Sequence, residues 1–353
     1  TAFTNTLFVA MPAEAAATPV LDALAARGAS GWHLPFGWGR APSSELAHWA
    51  MFGYGDVAFP GRAVLEALGA GVDVPAGVAV THAALRTSSA DADGRVWVTG
   101  RAGRDDAEDA AVLLEALGAL AGRLGARLAP LGARGEAILL LPDHDDGRVT
   151  DSDPFFPERH PWLRVLPLDD ALTAAPAATA TATALTTLLL EARTALRAHP
   201  VNAARRARGR PALDVLTTKW SGTRTPVAPF VERSGVVGAA VTSTPLYRGL
   251  AALLGLRTRD LPPDPDVGLD LRARLAAAEQ LVDDGARFVH VHTKATDDAG
   301  HTKAPRAKLD VLEAADPGLA GLLGLADRAV VAVTGDHATP STGGVLHTGD
   351  PTP

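Results

Sequence analysis

Short apolar runs of strand length alternate along this chain with Ala/Leu-rich stretches of helical period, and this alternation constrains the fold more than any other feature. It points to an α/β class with a largely parallel sheet flanked by helices. Expected strands are Thr6–Ala10, Ala137–Leu141, Val236–Thr242, Phe288–His292 and Ala329–Val333. Expected helices are Pro19–Arg27, Ser44–Phe52, Ala107–Leu124, Leu185–Ala198, Pro245–Leu254, Leu271–Asp284 and Ala304–Ala315.

Two segments interrupt the pattern: Asp91–Gly94, a turn-rich tip, and Ala174–Thr183, an Ala/Thr/Pro run that reads as a linker. Between them the sequence reads strand, turn, helix, strand, so a compact α/β unit is expected to be inserted into a larger core. The expected division is a core of residues 1–78 and 182–353 and an insert of 79–181. A chain of 353 residues is long enough for both parts. It opens at Thr1 without a methionine and stops on Asp350-Pro351-Thr352-Pro353, and further segments are expected beyond both ends.

Composition narrows the function classes. Hydrophobic residues make up 47% and charged residues 21%, which excludes a disordered or collagen-like chain. Lys plus Arg number 33 against 40 for Asp plus Glu, a net charge of −7, so a nucleic acid is not the expected partner. No apolar stretch approaches the roughly 20 residues that span a bilayer, and no membrane segment is expected. There is no cysteine, so any metal must be held by His, Asp or Glu. The expected compartment is the cytoplasm.

The chemistry-bearing residues gather near the C-terminus. In "FVHVHTKATDDAGHTKA" the apolar run ends at His292, and Asp297 and His301 follow, four residues apart. That spacing converges a carboxylate and an imidazole on one ion. In "AVVAVTGDHATP" a second apolar run is followed by Asp336 and His337, and "VLHTGDP" adds His347. Ligands of open α/β sheets bind at the carboxyl ends of strands, where both pairs are expected. Singly, each pair is as readily a strand-end cap or a surface histidine. Two pairs after successive strands, with a third histidine, point to an N/O donor set for Mn, Zn, Co or Mg rather than Ca.

Two such ions would clamp an in-line phosphoryl displacement, which needs a nucleophile. "APSSELAHWAMFGY" offers Ser44 where a helix begins, a setting that presents backbone N–H groups to an anion. By local sequence alone Ser43 or Ser44 is more readily an N-cap, and only the cluster of donor residues raises Ser44 to a candidate nucleophile. No Walker loop, GxSxG elbow or post-strand GxGxxG is present.

These residues carry a resemblance. "MPAEAAATPVLDALAARG", "APSSELAHWAMFGY", "GRAVLEALGAG", "RAGR", "VTDSDP", "HPVN", "KATDDAGH" and "VTGDHATP" resemble, in order, motifs of the archaeal-type cofactor-independent phosphoglycerate mutases of the alkaline phosphatase superfamily. The resemblance implies an alkaline-phosphatase-like core with an inserted smaller domain that closes over a small phosphorylated carboxylate. It implies that Ser44 takes the phosphoryl group of 3-phosphoglycerate and returns it to the other hydroxyl, with two divalent ions, most often Mn. By the same resemblance Asp297, His301 and His347 would hold one ion, and Ser44, Asp336 and His337 the other. Implied substrate contacts are Arg101, Arg104, Asp151, Asp153, Arg205 and Lys219, arginine being suited to bidentate grip of phosphate or carboxylate.

Three departures stand out. No metal aspartate of the family's opening "DGxxD"-like kind lies in Thr1–Ala17. Where the family has "LRGAG" this chain reads "TTKWSG", placing Lys219 and Trp220 at an Arg and a small residue; "GHDGD" is "GHTKA", and "RxNF" is "HAAL" around His82. A paralogue acting on another small phosphorylated or phosphonylated carboxylate, a phosphomonoesterase, and a non-catalytic sensor of the same fold therefore stand as alternatives.

Overall fold

The computed structural model describes residues 16–34, 43–153, 159–168, 176–344 and 346–348. The expected strand Thr6–Ala10 lies outside them. The described chain begins with α1 (Pro19–Arg27) and α2 (Ser44–Trp49), which runs on through a π turn, Ala50–Tyr54. There follow α3 (Arg62–Gly69), β1 (Ala79–Ala90), β2 (Val96–Arg101), α4 (Ala107–Arg123), β3 (Arg127–Leu131), β4 (Glu136–Leu141), β5 (His160–Pro161), α5 (Pro176–Ala198), α6 (Pro200–Ala207) and β6 (Val215–Thr223). The last part adds α7 (Phe230–Ser234), β7 (Gly238–Thr242), α8 (Pro245–Leu253), β8 (Arg257–Asp260), α9 (Val267–Asp283), β9 (Phe288–Val291), α10 (Ala295–His301), α11 (Pro305–Ala315) and α12 (Gly321–Leu325).

The chain forms two compact units, Thr1–Phe59 with Ala228–Pro353, and Pro60–Val227. The second reaches further on both sides than the expected insert of 79–181. The reason is strand pairing between distant segments: β6 lies antiparallel to β1, with Leu85 opposite Leu216 and His82 opposite Lys219. Helix α3 packs on the same sheet through Ala63, Val64 and Ala67, which meet Val80, Ile138 and Leu140.

The sheet of the Pro60–Val227 unit is antiparallel throughout, with β1 pairing β2, β4 and β6, and β3 and β5 outside them. Tight hairpins impose this for β1–β2 and β3–β4, because two strands joined by a short turn must run opposite ways, while the other pairings join segments distant in sequence. At Asp91–Gly94 the Asp91 carboxylate accepts from the backbone N–H of Asp93 and Arg95, and Gly94 takes φ +78°. Helices α4 and α5 cover one face. Their Leu113, Leu114, Leu117, Leu185, Leu188 and Leu189 recur at helical spacing and pack against Ala83, Leu85 and Leu139.

The run Ala174–Thr183 is no linker: from Pro176 on it is the first part of α5. Ala178, Thr181 and Ala182 are buried, and the hydroxyls of Thr181 and Thr183 donate to carbonyls one turn back at 3.1 and 2.8 Å, which satisfies polar side chains inside the helix.

In the other unit the sheet is parallel, ordered β8-β7-β9, with α8 and α9 as the crossovers. Its core is Ala239, Val241, Ala277, Ala278, Leu281 and Ala286. The expected strand Val236–Thr242 starts at Gly238. The expected strand Ala329–Val333 is absent: the segment has no regular structure, Val330 is fully exposed, and no described strand offers it a ladder. No described helix is long and apolar enough to cross a membrane.

Candidate active site

Three elements of the parallel-sheet unit bring the expected ligands together. Strand β9 delivers α10, on which Asp297 and His301 occupy one face at i, i+4. Gly300 lets this helix lie against the segment after Asp336: a Cβ there would come within 2.9 Å of the Thr339 carbonyl oxygen. Thr339 then joins the two motifs, its hydroxyl donating to Asp297 Oδ1 at 2.5 Å, while buried Lys308 of α11 donates to the Thr339 carbonyl at 2.9 Å.

Around Asp297 the donor atoms converge. His301 Nε2 lies 3.4 Å from Asp297 Oδ2 and 3.2 Å from His347 Nε2, and His347 Nε2 is 3.7 Å from Asp297 Oδ1. One donor atom each of Asp297, His337 and His347 lies within 4.8 Å of the others. A carboxylate with imidazole nitrogens at this spacing is a donor set for a transition metal or Zn. Lys294 Nζ stands 2.5 Å from Asp297 Oδ2. Burial would raise the Asp297 pKa, but His347, Lys294 and Thr339 overcome it and hold the carboxyl well below the usual range.

Ser43 is the N-cap residue of α2 in extended backbone, yet its hydroxyl makes no capping bond. Ser44, at the first helical position, is therefore not consumed as a cap: its Oγ lies 2.8 Å from His337 Nε2. Thr339 Oγ1, whose hydrogen goes to Asp297, sits 3.4 Å from His337 Nδ1. A ring proton on Nδ1 would meet the Thr339 oxygen and leave the Nε2 lone pair facing Ser44. Burial pushes His337 down to about 4 against the pull of Asp336, so the ring is neutral at ordinary pH. Asp336 Oδ2 lies 3.3 Å from His337 Nε2 and 3.8 Å from His48 Nδ1.

Sequence reasoning missed the wall behind Ser44. His48, one turn along α2, donates from Nδ1 to the Ser44 carbonyl at 2.7 Å. Its ring meets Tyr247 edge-on at 4.7 Å, His290 at 5.0 Å and His292 at 5.4 Å. Burial lowers the pKa of all three histidines, His290 to about 3, so three neutral imidazoles line this side. Two histidines two residues apart at the end of a strand share one face, and "HVH" was the available signal. The Tyr247 hydroxyl is buried beside Ser44 and completes no hydrogen bond of normal geometry among the described residues. Such an orphan costs about 1–3 kcal/mol.

The other expected contacts belong to the Pro60–Val227 unit. Arg101 and Arg104 are exposed near the end of β2. Arg205 is buried and committed, its Nη1 bound to Asp106 at 2.7 Å and Asp109 at 2.8 Å and its Nε to the Pro211 carbonyl at 2.8 Å, the placement of a structural clamp. Asp153 is buried against Arg86 at 2.9 Å and His160 at 3.5 Å. Asp151 accepts from the Trp220 N–H at 2.8 Å, and burial pushes its pKa up to about 6. Lys219 is only 4% exposed and is pushed down to about 8 by burial and then Arg86. The Trp220 ring has Lys219 Nζ at 3.7 Å and the Arg62 guanidinium at 3.8 Å. Trp220 takes φ +59°, a left-handed conformation costly for a residue with a large side chain.

Comparison with known proteins decides the family. Residues 25–202 match the family described as 2,3-bisphosphoglycerate-independent phosphoglycerate mutase. A protein of that name from Methanopyrus kandleri is 35% identical over 97% of this chain and 81% of its own. The chain belongs to this family. A second relative, from Methanocaldococcus jannaschii, is 30% identical over 97% of this chain and 78% of its own. Among solved structures, a Pyrococcus horikoshii protein superposes with a TM-score of 0.73 at 25% identity, covering 99% of this chain and 80% of that one. The cofactor-independent phosphoglycerate mutase of Thermoplasma acidophilum gives 0.60 at 29% identity, over 96% and 81%.

Proposed function

We propose that the protein interconverts 3-phosphoglycerate and 2-phosphoglycerate, passing the phosphoryl group through Ser44. The observation that carries this reading is the 2.8 Å approach of Ser44 Oγ to Nε2 of a neutral His337, beside the Asp297, His301 and His347 cluster, in a chain of this family. Ser44 is the acceptor, and His48 fixes its backbone through the Ser44 carbonyl. Asp297, His301 and His347 would hold one divalent ion and Ser44, Asp336 and His337 a second, Mn being the first choice and Zn, Co or Mg the others. Such ions supply charge neutralisation at the phosphoryl oxygens and lower the pKa of an attacking hydroxyl.

The substrate is a small phosphorylated carboxylate, and the Pro60–Val227 unit carries the candidate residues for recognising it. Its exposed Arg101 and Arg104 are the foremost candidates for carboxylate or phosphate contact, with Asp151, Asp153, Arg205 and Lys219 shaping that unit's interior. The Lys219–Trp220–Arg62 stack favours a second reading, in which a related phosphorylated carboxylate is the preferred substrate.

Rapid mixing of the Mn-loaded protein with 3-phosphoglycerate, acid quench and peptide mass analysis tests the pathway. Phosphate on Ser44 in the native protein, and none in Ser44→Ala, is the expected result. Turnover with an unmodified Ser44 would overturn it, and release of inorganic phosphate alone would make the enzyme a phosphatase.

A further inference from the structure

Tyr247 is the third residue of α8, which follows β7 and so starts at the carboxyl edge of the parallel sheet. On the neighbouring strand Val291 pairs with Val241, so His292 leaves the same edge. The Tyr247 ring lies 3.7 Å, centroid to centroid, from His292 and 4.7 Å from His48. Held between two imidazoles, the side chain is 4% exposed. Its hydroxyl lies beside the Ser44 hydroxyl and makes no hydrogen bond of normal geometry among the described residues.

A phenylalanine would fill the same space and leave nothing unpaired. A dry, oriented donor next to the nucleophile gains a well-formed hydrogen bond when acceptor oxygens arrive at Ser44, and a phosphoryl group brings them. We propose that Tyr247 is a further catalytic residue, its hydroxyl donating a hydrogen bond to a non-bridging oxygen of the phosphoryl group as it moves to and from Ser44. This rests on the reading of Ser44 as phosphoryl acceptor. In the forward transfer the Ser44 Oγ–P bond forms, the substrate P–O bond breaks, and the serine proton ends on the departing hydroxyl oxygen. The return transfer reverses these changes at the other hydroxyl. Tyr247 keeps its proton throughout, and His48 and His292 hold its ring.

The test compares the Mn-loaded native protein, Tyr247→Phe and Ser44→Ala in phosphoglycerate turnover, orthovanadate binding and thermal midpoint. Vanadate mimics the transferring phosphoryl group without needing the right substrate. Tyr247→Phe should lose about 100-fold in kcat with little change in KM, bind vanadate correspondingly more weakly, and melt no lower than the native protein. Native kcat and native vanadate affinity in Tyr247→Phe would overturn the role. Should the native protein fail to interconvert phosphoglycerates, the reading of the substrate falls separately, and vanadate decides for Tyr247: weaker binding in the variant upholds the donor, equal binding removes it.

Discussion

The two units use the same residue types to opposite ends. In Pro60–Val227 buried charges are paired by neighbours: Arg86 with Asp153, and Arg205 with Asp106 and Asp109. In the parallel-sheet unit the polar atoms at the sheet edge face one another instead. His301 Nε2 and His347 Nε2 stand 3.2 Å apart beside one carboxylate, and the Tyr247 hydroxyl completes no hydrogen bond of normal geometry among the described residues. Arg274 and Asp270 of α9, paired at 2.7 Å, show that this unit also closes charges where it has only to hold itself together. The contrast separates groups that a fold satisfies from groups that it keeps ready for a ligand.

Variants that strike each side should therefore fail differently. The largest effect is expected from Ser44→Ala, with a loss on the order of 10^4-fold in turnover and a nearly unchanged thermal midpoint, read by steady-state kinetics and thermal melts. Arg205→Met should do the reverse. It removes the buried donor shared by Asp106, Asp109 and the Pro211 carbonyl, leaving Asp106 to Arg210 and Asp109 to Arg208, and should cost about 2 kcal/mol in urea unfolding, with the KM of the folded enzyme unchanged. A raised KM at native stability would instead return Arg205 to the substrate. Mn at about 100 times its Kd should stabilise the protein by about 2.7 kcal/mol, chelation should remove both that gain and the activity, and Asp297→Asn should abolish the gain.

The smallest expected effect concerns pH. Asp151, with its pKa raised to about 6 from an ordinary 3.8, holds its proton more tightly folded than unfolded. Its stabilising contribution is complete below about pH 4 and is lost as pH rises through about 6. Asp151→Asn, which keeps an acceptor for the Trp220 N–H, should therefore stabilise the protein by about 2 kcal/mol at pH 7 and by nothing at pH 4. A gain of equal size at both pH values would show that burial of the charge is not the cause.

What was legible in the sequence was local. Helix α1 was read to the residue because Pro19 opens it and Gly28 follows its last residue, and the start of α2 at Ser44 was read likewise. Asp297, His301, Asp336, His337 and His347 stand out because each motif carries its candidate donors within a few residues, and the structure sets these side chains near one another. What was not legible depends on distant partners. The reach of the Pro60–Val227 unit follows from β6 lying beside β1, more than a hundred residues away in sequence. Ala329–Val333 has a strand's composition but no described neighbour to pair with. Ala174–Thr183 looked structureless by composition, while its alanines bury and its threonines bond back along α5. Tyr247 carried no signal, since a tyrosine early in an apolar helix is ordinarily core.

Phosphorus NMR of the Mn-loaded protein with 3-phosphoglycerate tests the central claim most directly. The account predicts that the 2-phosphoglycerate resonance grows to an equilibrium ratio without accumulation of inorganic phosphate, and that Ser44→Ala stays silent. An unchanged spectrum from the native protein, or inorganic phosphate as the sole product, would contradict it.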